Sequence, residues 1–325
     1  MATTVTATVA IPVFDEADHI GSCLDAVGAQ QGAEIVEVLV LDGGSTDRTA
    51  AIAAARPLVR VVSNPRRRQS AAMNLAIEAA RGDVLVRVDA RTRISPTYVR
   101  DCIEVLERTG AALVGGAQVA RGSGWRQRGI AAALNSTAGG GPAAFRRPGR
   151  AGVVDSVYLG AFRPSVAREV GGYDETTAVN EDAQFARRMS RTGVIWLDER
   201  ISSTYEPRER FRGLARQYWS YGRGRASTVS RDVASLGVRQ LAAPALVVGL
   251  LSRRRRSVAG AYSTFVLANA RRVARAEGSS VAAAYSLALP VLHLSWGGGF
   301  LCELARGAAR GVGGAARMWR GAPSA

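Results

Sequence analysis

The sequence predicts an α/β fold: a Rossmann-like, mostly parallel sheet with helices on both faces, followed by amphipathic and membrane-associated helices toward the C-terminus. Three observations carry this expectation. Strand-like runs alternate with helical periodicity through residues 5–119, as βαβ units do. Polar and acidic clusters fall just beyond the strand runs, at Asp15–Glu16, Asp42–Asp47 and Asp89. The charge then changes abruptly. Residues 1–205 hold 24 arginines against 22 acids, net +2, whereas residues 206–325 hold 19 against 5, net +14. A chain of 325 residues can form one large α/β domain with an appendage. We therefore expect an α/β domain over 1–205, a basic amphipathic region over 206–239 and an apolar, Arg-flanked membrane-associated region over 240–325.

The elements follow in order. Residues 5–14 (VTATVAIPVF) read as a strand, and a helix after Asp15 and Glu16 carries Ile20, Cys23, Leu24 and Val27 at three- and four-residue spacing. Residues 35–41 (IVEVLVL) form a second strand closed by Asp42-Gly-Gly-Ser-Thr-Asp47, where Ser45 or Thr46 can cap the next helix. A strand at Val59–Ser63, a helix at Ser70–Arg81 and a strand at Asp83–Val88 lead to Asp89. Pro96 opens a helix reaching Arg108, and Ala111–Val119 is a fifth strand. In parallel sheets ligands bind beyond the carboxyl ends of the strands, so the three acidic clusters face one crevice.

From Arg121 to Arg150 the pattern dissolves into Gly, Arg and small residues around Gly139-Gly140-Gly141, a surface linker or a mobile loop over the crevice. Order resumes with a strand at Val153–Leu159, a helix over Pro164–Val170, a helix opening at Glu181-Asp182 and a strand at Val194–Leu197. Residues 210–225 place Phe211, Leu214, Tyr218 and Tyr221 at helical spacing among arginines, a basic amphipathic helix suited to a membrane surface or a partner. The uncharged run Val281–Cys302 would measure about 33 Å as a helix, enough for a bilayer core of about 30 Å. Pro290 and Gly297–Gly299 weaken a simple span there, and 240–251 alone is too short.

Several classes are excluded. The only histidines, His19 and His293, cannot supply a His-rich zinc site, and neither suits a Ser-His-Asp or Cys-His mechanism. Cys23, Cys102 and Cys302 are odd in number and widely spaced, and read as free thiols of a reducing compartment. The first residues lack the basic and apolar regions of a signal peptide, so the first half is expected to be cytoplasmic. Pro12-Val-Phe-Asp-Glu16 stands where a dinucleotide fold needs G-x-G-x-x-G. No nucleic-acid-binding pattern accompanies the charge, and nucleic acid is not an expected partner.

Ile11–Ile20 (IPVFDEADHI) resembles the opening stretch of family 2 glycosyltransferases, and Asp42–Thr49 (DGGSTDRT) is similar to their DGGSTDxT turn. Ala72-Met73-Asn74, then Ala80–Asp83, resembles a further family segment. Asp89-Ala-Arg91 stands where the DxD motif belongs, and Asn180-Glu181-Asp182 where the catalytic ED motif belongs. Leu159–Arg163, Gly171–Glu175, Arg216–Arg223 and His293–Phe300 are closer still to bacterial succinoglycan-type exopolysaccharide enzymes.

The resemblance implies a GT-A fold and an inverting transfer of sugar from a nucleotide-sugar, here a UDP-sugar. The acceptor would be a hydroxyl of a membrane-bound glycan or polyprenyl-linked acceptor. By it, Pro12, Phe14, Glu16 and Asp42 line the nucleoside pocket, and Asp42 suits a uracil N–H. Asp89 binds ribose or a divalent cation, Mg²⁺ or Mn²⁺. Asp182 is the base, beside Glu181, at a helix start where the dipole favours negative charge. Asp155 and Gly160 shape the acceptor side, and Gln217, Trp219 and Arg223 approach the diphosphate or form an interfacial helix. One departure stands out: Arg91 replaces the second acid of DxD. A guanidinium cannot ligate a cation but can pair with phosphate, so either Arg91 shares the neutralising role or it faces solvent while Asp89 and water hold the metal. The expected place is the cell membrane, with the catalytic domain facing the cytoplasm and the C-terminal arginines meeting anionic lipid. A catalytically impaired binding or scaffold subunit of a polysaccharide assembly complex is the alternative.

Overall fold

A computed structural model describes residues 4–139, 149–176, 181–231, 233 and 236–320. The chain divides into two compact units, one of residues 1–121 and 142–206, the other of residues 122–141 and 207–325.

In the first unit, β1 (Thr6–Val13), β2 (Glu34–Asp42), β3 (Val59–Ser63) and β4 (Val84–Arg87) pair in parallel in the order β3-β2-β1-β4. Helices α1 (Ala17–Gly28), α2 (Thr49–Ala54) and α3 (Gln69–Ala79) connect them, as parallel neighbours require. Successive side chains point to opposite faces, so the strands feed two apolar layers. Val9, Ile11, Val38, Val40, Val84 and Val86 join α1 and α4 (Tyr98–Thr109) on one side. Ala10, Leu39, Leu41 and Leu85 join α3 on the other.

The second half of this sheet is antiparallel in part. Beyond β4 the order is β8-β6-β9-β5, with β5 (Thr92–Ile94), β6 (Leu113–Ala120), β8 (Tyr158–Phe162) and β9 (Ile195–Tyr205). The run read as one strand at Val153–Leu159 is two: β7 (Gly152–Val153) pairs with β9, and β8 inserts antiparallel between β4 and β6. β9 extends well beyond Leu197 because the charged stretch Asp198–Arg200 is absorbed by a bulge. Gly115 opposes Leu197 and Ala117 opposes Ser202, with Asp198 buried against Arg200 and Arg108. Helices α6 (Pro164–Glu169) and α7 (Glu181–Met189) complete the unit.

The second unit is helical. It takes α5 (Trp125–Asn135) from the stretch where sequence periodicity fails, so residues 125–135 are a helix rather than linker or loop; Gly140 and Gly141 lie outside the described residues. The pattern failed because α5 is built on glycine and alanine, whose Cβ-poor face admits close packing. A Cβ on Gly129 would stand 2.4 Å from the side chain of Ala284. Helices α8 (Phe211–Arg231), α9 (Ala242–Leu251), α10 (Arg255–Glu277) and α11 (Ser279–Arg320) follow, and α11 packs against α5, α8, α9 and α10. α11 continues through Pro290, so the expected weakening does not break it. Its segment Ser279–Gly307 has 29 residues, includes an 18-residue stretch with a mean hydropathy of 1.3, and is long and apolar enough to cross a membrane. α8 lies on it backbone to backbone: a Cβ on Gly222 would stand 2.0 Å from the Trp296 carbonyl oxygen.

That contact yields a prediction. Gly222→Val separates α8 from α11 and lowers stability by about 2 kcal/mol, as overpacked interfaces do, read by thermal unfolding of the full chain in detergent.

Candidate active site

The carboxyl ends of β1, β2 and β4 lie side by side because these strands are parallel neighbours. Their loops are stitched together by the acids that the sequence places there. Asp15 has a left-handed backbone (φ +51), uncommon for a residue with a Cβ. It is held by its carboxylate accepting from Thr46 N–H (2.7 Å) and its own N–H donating to Ser45 Oγ (3.0 Å). Ser45 in turn donates from its hydroxyl to Asp42 Oδ1 (2.6 Å). Ser45 and Thr46 therefore serve the loop rather than cap α2. The first helical N–H, of Thr49, donates instead to Asp47 Oδ1 (2.9 Å). Hydrogen bonding, chiefly from the Thr49 hydroxyl, holds the Asp47 carboxyl below the usual range.

Four of the expected residues stand at the carboxyl ends of β1 and β2 or just beyond β1. Pro12 is half-buried, Phe14 is half-exposed, and the Arg67 guanidinium lies over the Phe14 ring at 5.8 Å. Asp42 is half-buried with its carboxylate oriented by Ser45. Glu16 accepts from Arg91 Nε at 2.9 Å, which ties the β1 loop to the segment after β4.

Arg87, the last residue of β4, lies at the centre and is only 2% exposed. Leu85 and Arg87 share a strand face, and the apolar layer that covers Leu85 ends at Arg87. Its guanidinium donates from Nε to Asp89 Oδ1 (3.0 Å), from Nη2 to Asp89 Oδ2 (3.4 Å) and from Nη1 to Asp182 Oδ1 (2.5 Å). The Gln69 amide, turned to present its oxygen, accepts from the same guanidinium, and the Tyr173 hydroxyl contacts it. Burial opposes the charge of Arg87, but Asp182 and Asp89 outweigh it and hold the guanidinium protonated.

Asp182 reaches this point because α7 is anchored one turn further on. Phe185 lies 4.0 Å from Tyr173, stacked, and 5.0 Å from Phe162 of β8. Residues three apart share a helix face, so seating Phe185 on the sheet turns Asp182 toward β4. Asn74 of α3 sets Tyr173 itself, accepting its N–H (2.7 Å) and donating to its carbonyl and to Glu175 (both 2.9 Å). Glu181 is half-buried, and burial, then the adjacent Asp182 charge, push its carboxyl above the usual range. Asn180 lies outside the described residues.

This geometry sets an acid beyond a strand end and an acid at a helix start on one guanidinium. Residues 8–171 match Glycosyl transferase family 2. The succinoglycan biosynthesis protein ExoA of Rhizobium meliloti (strain 1021) is 31% identical over 93% of this chain and 96% of its own length. The chain belongs to family 2 of the glycosyltransferases. A Methanococcus voltae enzyme is 25% identical over 65% of this chain and 70% of its own length. It is named dolichyl N-acetyl-alpha-D-glucosaminyl phosphate 3-beta-D-2,3-diacetamido-2,3-dideoxy-beta-D-glucuronosyltransferase. The mannosyltransferase PcManGT of Pyrobaculum calidifontis, solved with GDP-Man and Mn²⁺, superposes with a TM-score of 0.58 at 18% identity, covering 90% of this chain and 88% of that one. The fold is that of the GT-A glycosyltransferases.

The other expected residues of this glycosyltransferase have different surroundings. Asp155 is exposed between β7 and β8. Gly160 is buried within β8 at φ +89, where a Cβ would meet Leu113 at 2.9 Å, so backbone conformation and packing account for it. In the helical unit, Gln217 donates to the Tyr221 hydroxyl (3.0 Å), Trp219 lies over Gly298, and Arg223 pairs with Glu303 (2.9 Å). Tyr218 and Leu214 of that helix are buried while Tyr221 is exposed, so the apolar stripe is narrower than its spacing suggests.

Among the described residues no cluster of three or more His, Cys, Asp or Glu side chains could hold a metal. Asp89 is a third exposed, and Mg²⁺ or Mn²⁺ commonly takes one carboxylate with the remaining oxygens from phosphate and water. Asp89, whose two oxygens also accept from Arg87, would be the residue to hold such an ion alongside a diphosphate. Arg91 would not.

Sequence reasoning missed Arg87, Gln69 and Tyr173. A signal for Arg87 was present: an arginine inside an apolar strand, two residues before Asp89 and so on the same side.

The raised Glu181 carboxyl makes a pH prediction. The folded chain holds this proton to higher pH than the unfolded chain, so ionised Glu181 costs stability above the ordinary value and nothing below it. Glu181→Gln should raise the Tm at pH 7 but leave it unchanged below the unperturbed glutamate value of about 4.3, read by thermal scans at both.

Proposed function

We propose that this glycosyltransferase moves a sugar, with inversion, from a UDP-sugar to a hydroxyl of a membrane-bound glycan or polyprenyl-linked acceptor in cell-surface polysaccharide synthesis. The observation that carries the reading is the convergence of Asp89 and Asp182 on one guanidinium at the carboxyl ends of the parallel strands. A crevice with a donor-side acid and an acceptor-side acid suits displacement at an anomeric carbon. The acceptor O–H loses its proton to Asp182 as its oxygen bonds the anomeric carbon. The bond from that carbon to the diphosphate oxygen breaks, and the nucleoside diphosphate leaves with the electron pair.

Phe14 offers a face for a nucleobase, and Asp42, fixed by Ser45, retains lone pairs to accept a uracil N–H. Asp89 would hold ribose or a divalent cation, and such a cation would supply neutralisation of the departing diphosphate. Arg91 leaves Glu16 to pair with phosphate, adding positive charge where the second DxD acid is missing.

Membrane placement is part of the proposal. The apolar Ser279–Gly307 segment, exposed Val248, Leu251, Phe265 and Leu267, and exposed Arg253–Arg256 suit a bilayer with anionic head groups on the cytoplasmic side. The names of the Rhizobium and Methanococcus relatives, one in succinoglycan biosynthesis and one acting on a dolichyl-linked sugar, support a polysaccharide pathway and a lipid-linked acceptor.

A thermal-shift screen of nucleotide-sugars with and without Mn²⁺ should single out a UDP-sugar. Transfer from that donor should fall about a thousandfold in Asp182→Asn with the fold intact, as loss of a general base does. Near-normal turnover in that variant would remove Asp182 from its role. Nucleotide binding without transfer by the wild type would place the chain among binding subunits instead. Arg91→Ala should raise the donor KM about tenfold and sharpen the cation requirement, the loss of one charge-assisted phosphate contact. A steep Mg²⁺ or Mn²⁺ dependence unchanged in Arg91→Ala would refute the phosphate role.

A further inference from the structure

We propose that Arg87 is the positioning residue of the transfer reaction, a buried guanidinium that sets the separation and orientation of Asp89 on the donor side and Asp182 on the acceptor side. The inference rests on the reading of the crevice as a sugar-transfer site.

The two acids come from unrelated parts of the chain. Asp89 follows β4, whereas Asp182 sits 95 residues from Arg87, at the start of α7. Arg87 joins them through different edges of one rigid plane, Nε and Nη2 toward Asp89 and Nη1 toward Asp182. A guanidinium holds such partners at fixed angles, which a lysine ammonium cannot do. Its own plane is set from two further directions, by Gln69 at the first turn of α3 and by the Tyr173 hydroxyl. Tyr173 in turn is held by Asn74 and by the ring of Phe185, on the helix that carries Asp182. The contacts that aim the guanidinium thus come from α3, from the segment before α7 and from the two acids themselves.

Stability does not account for this residue. Asp89 and Asp182 are 33% and 47% exposed and would be well hydrated without a partner, whereas Arg87 gives up its hydration almost entirely. Buried ion pairs of this kind are often neutral or unfavourable against a well-packed apolar residue. An apolar side chain at 87 would extend the layer formed by Leu85, Phe162, Phe185 and Tyr173. A buried cation at the one place where two site acids converge is explained by what it does to their geometry.

The test compares wild type with Arg87→Met and Arg87→Lys, reading kcat, the donor KM, UDP binding by calorimetry and the Tm. Arg87→Met should keep or raise the Tm, and UDP affinity should stay within about tenfold. Its kcat should fall about a hundredfold, the cost of misplacing catalytic groups by an ångström. Arg87→Lys should recover part of the kcat, because it restores the charge but not the fork.

A kcat for Arg87→Met within about threefold of wild type would overturn the proposal. So would a fall in kcat that only tracks lost UDP binding and a lower Tm. Should Arg87→Met not fold, Tyr173→Phe replaces it, since it keeps the stack on Phe185 and removes only the hydroxyl. Its kcat should fall about fivefold at unchanged KM, and an unchanged kcat would overturn the proposal. A wild type that transfers from no nucleotide-sugar refutes the sugar-transfer reading itself, whereas an active wild type with an equally active Arg87→Met refutes only the role of Arg87.

Discussion

One charged side chain, buried at the end of an apolar strand, organises the catalytic unit. Arg87 ends the layer begun by Leu85, and the fold surrounds it with acceptors rather than with water. Taking a guanidinium out of water is unfavourable by several kcal/mol unless it is paired, so the positions of Asp89, Asp182, Gln69 and Tyr173 are constrained together. The neighbouring packing brings these partners to the guanidinium: α7 docks through Phe185, Asn74 fixes Tyr173, and β8 presents Phe162 beside β4.

Much of this was legible in the sequence. Of the first four strands, β1, β2 and β4 announce themselves because they carry continuous buried apolar runs, and β3 does so through its β-branched valines. The acids at the strand ends follow from the topology alone. The remainder was hidden for physical reasons. β9 is interrupted by Asp198–Arg200, a bulge in which Asp198 is buried against Arg200 and Arg108 and which alternation cannot reveal. α5 buries only Ile130 and Leu134 as large apolar residues and otherwise packs through Gly129 and alanines, too weak a stripe to read. Val153–Leu159 looks like one strand although its halves serve different neighbours. Arg87 was read as one more residue of a strand; its partner Asp182 is too distant in sequence for any local pattern to join them.

The charge asymmetry has a structural counterpart in the two units. The first carries its acids at the crevice and in the ladder of hydrogen bonds that joins the β1 and β2 loops, which leaves it nearly neutral. The second is built around α11, whose glycines let α8 approach to backbone contact and whose neighbours carry the excess arginine. Exposed arginines Arg253–Arg256 stand between exposed apolar residues of α9 and α10, the arrangement on which the proposed membrane placement rests.

The central claim is that Arg87 acts through Asp182 rather than beside it. A double-mutant cycle on kcat, with Arg87→Met, Asp182→Asn and the double variant measured against wild type, tests it most directly. If the guanidinium serves to place the Asp182 carboxylate, Arg87→Met should cost far less in the Asp182→Asn background than the roughly hundredfold it costs alone, because only the placing of Asp89 is then left to lose. Additive losses, with the double variant slower by the product of the two single effects, would contradict the account.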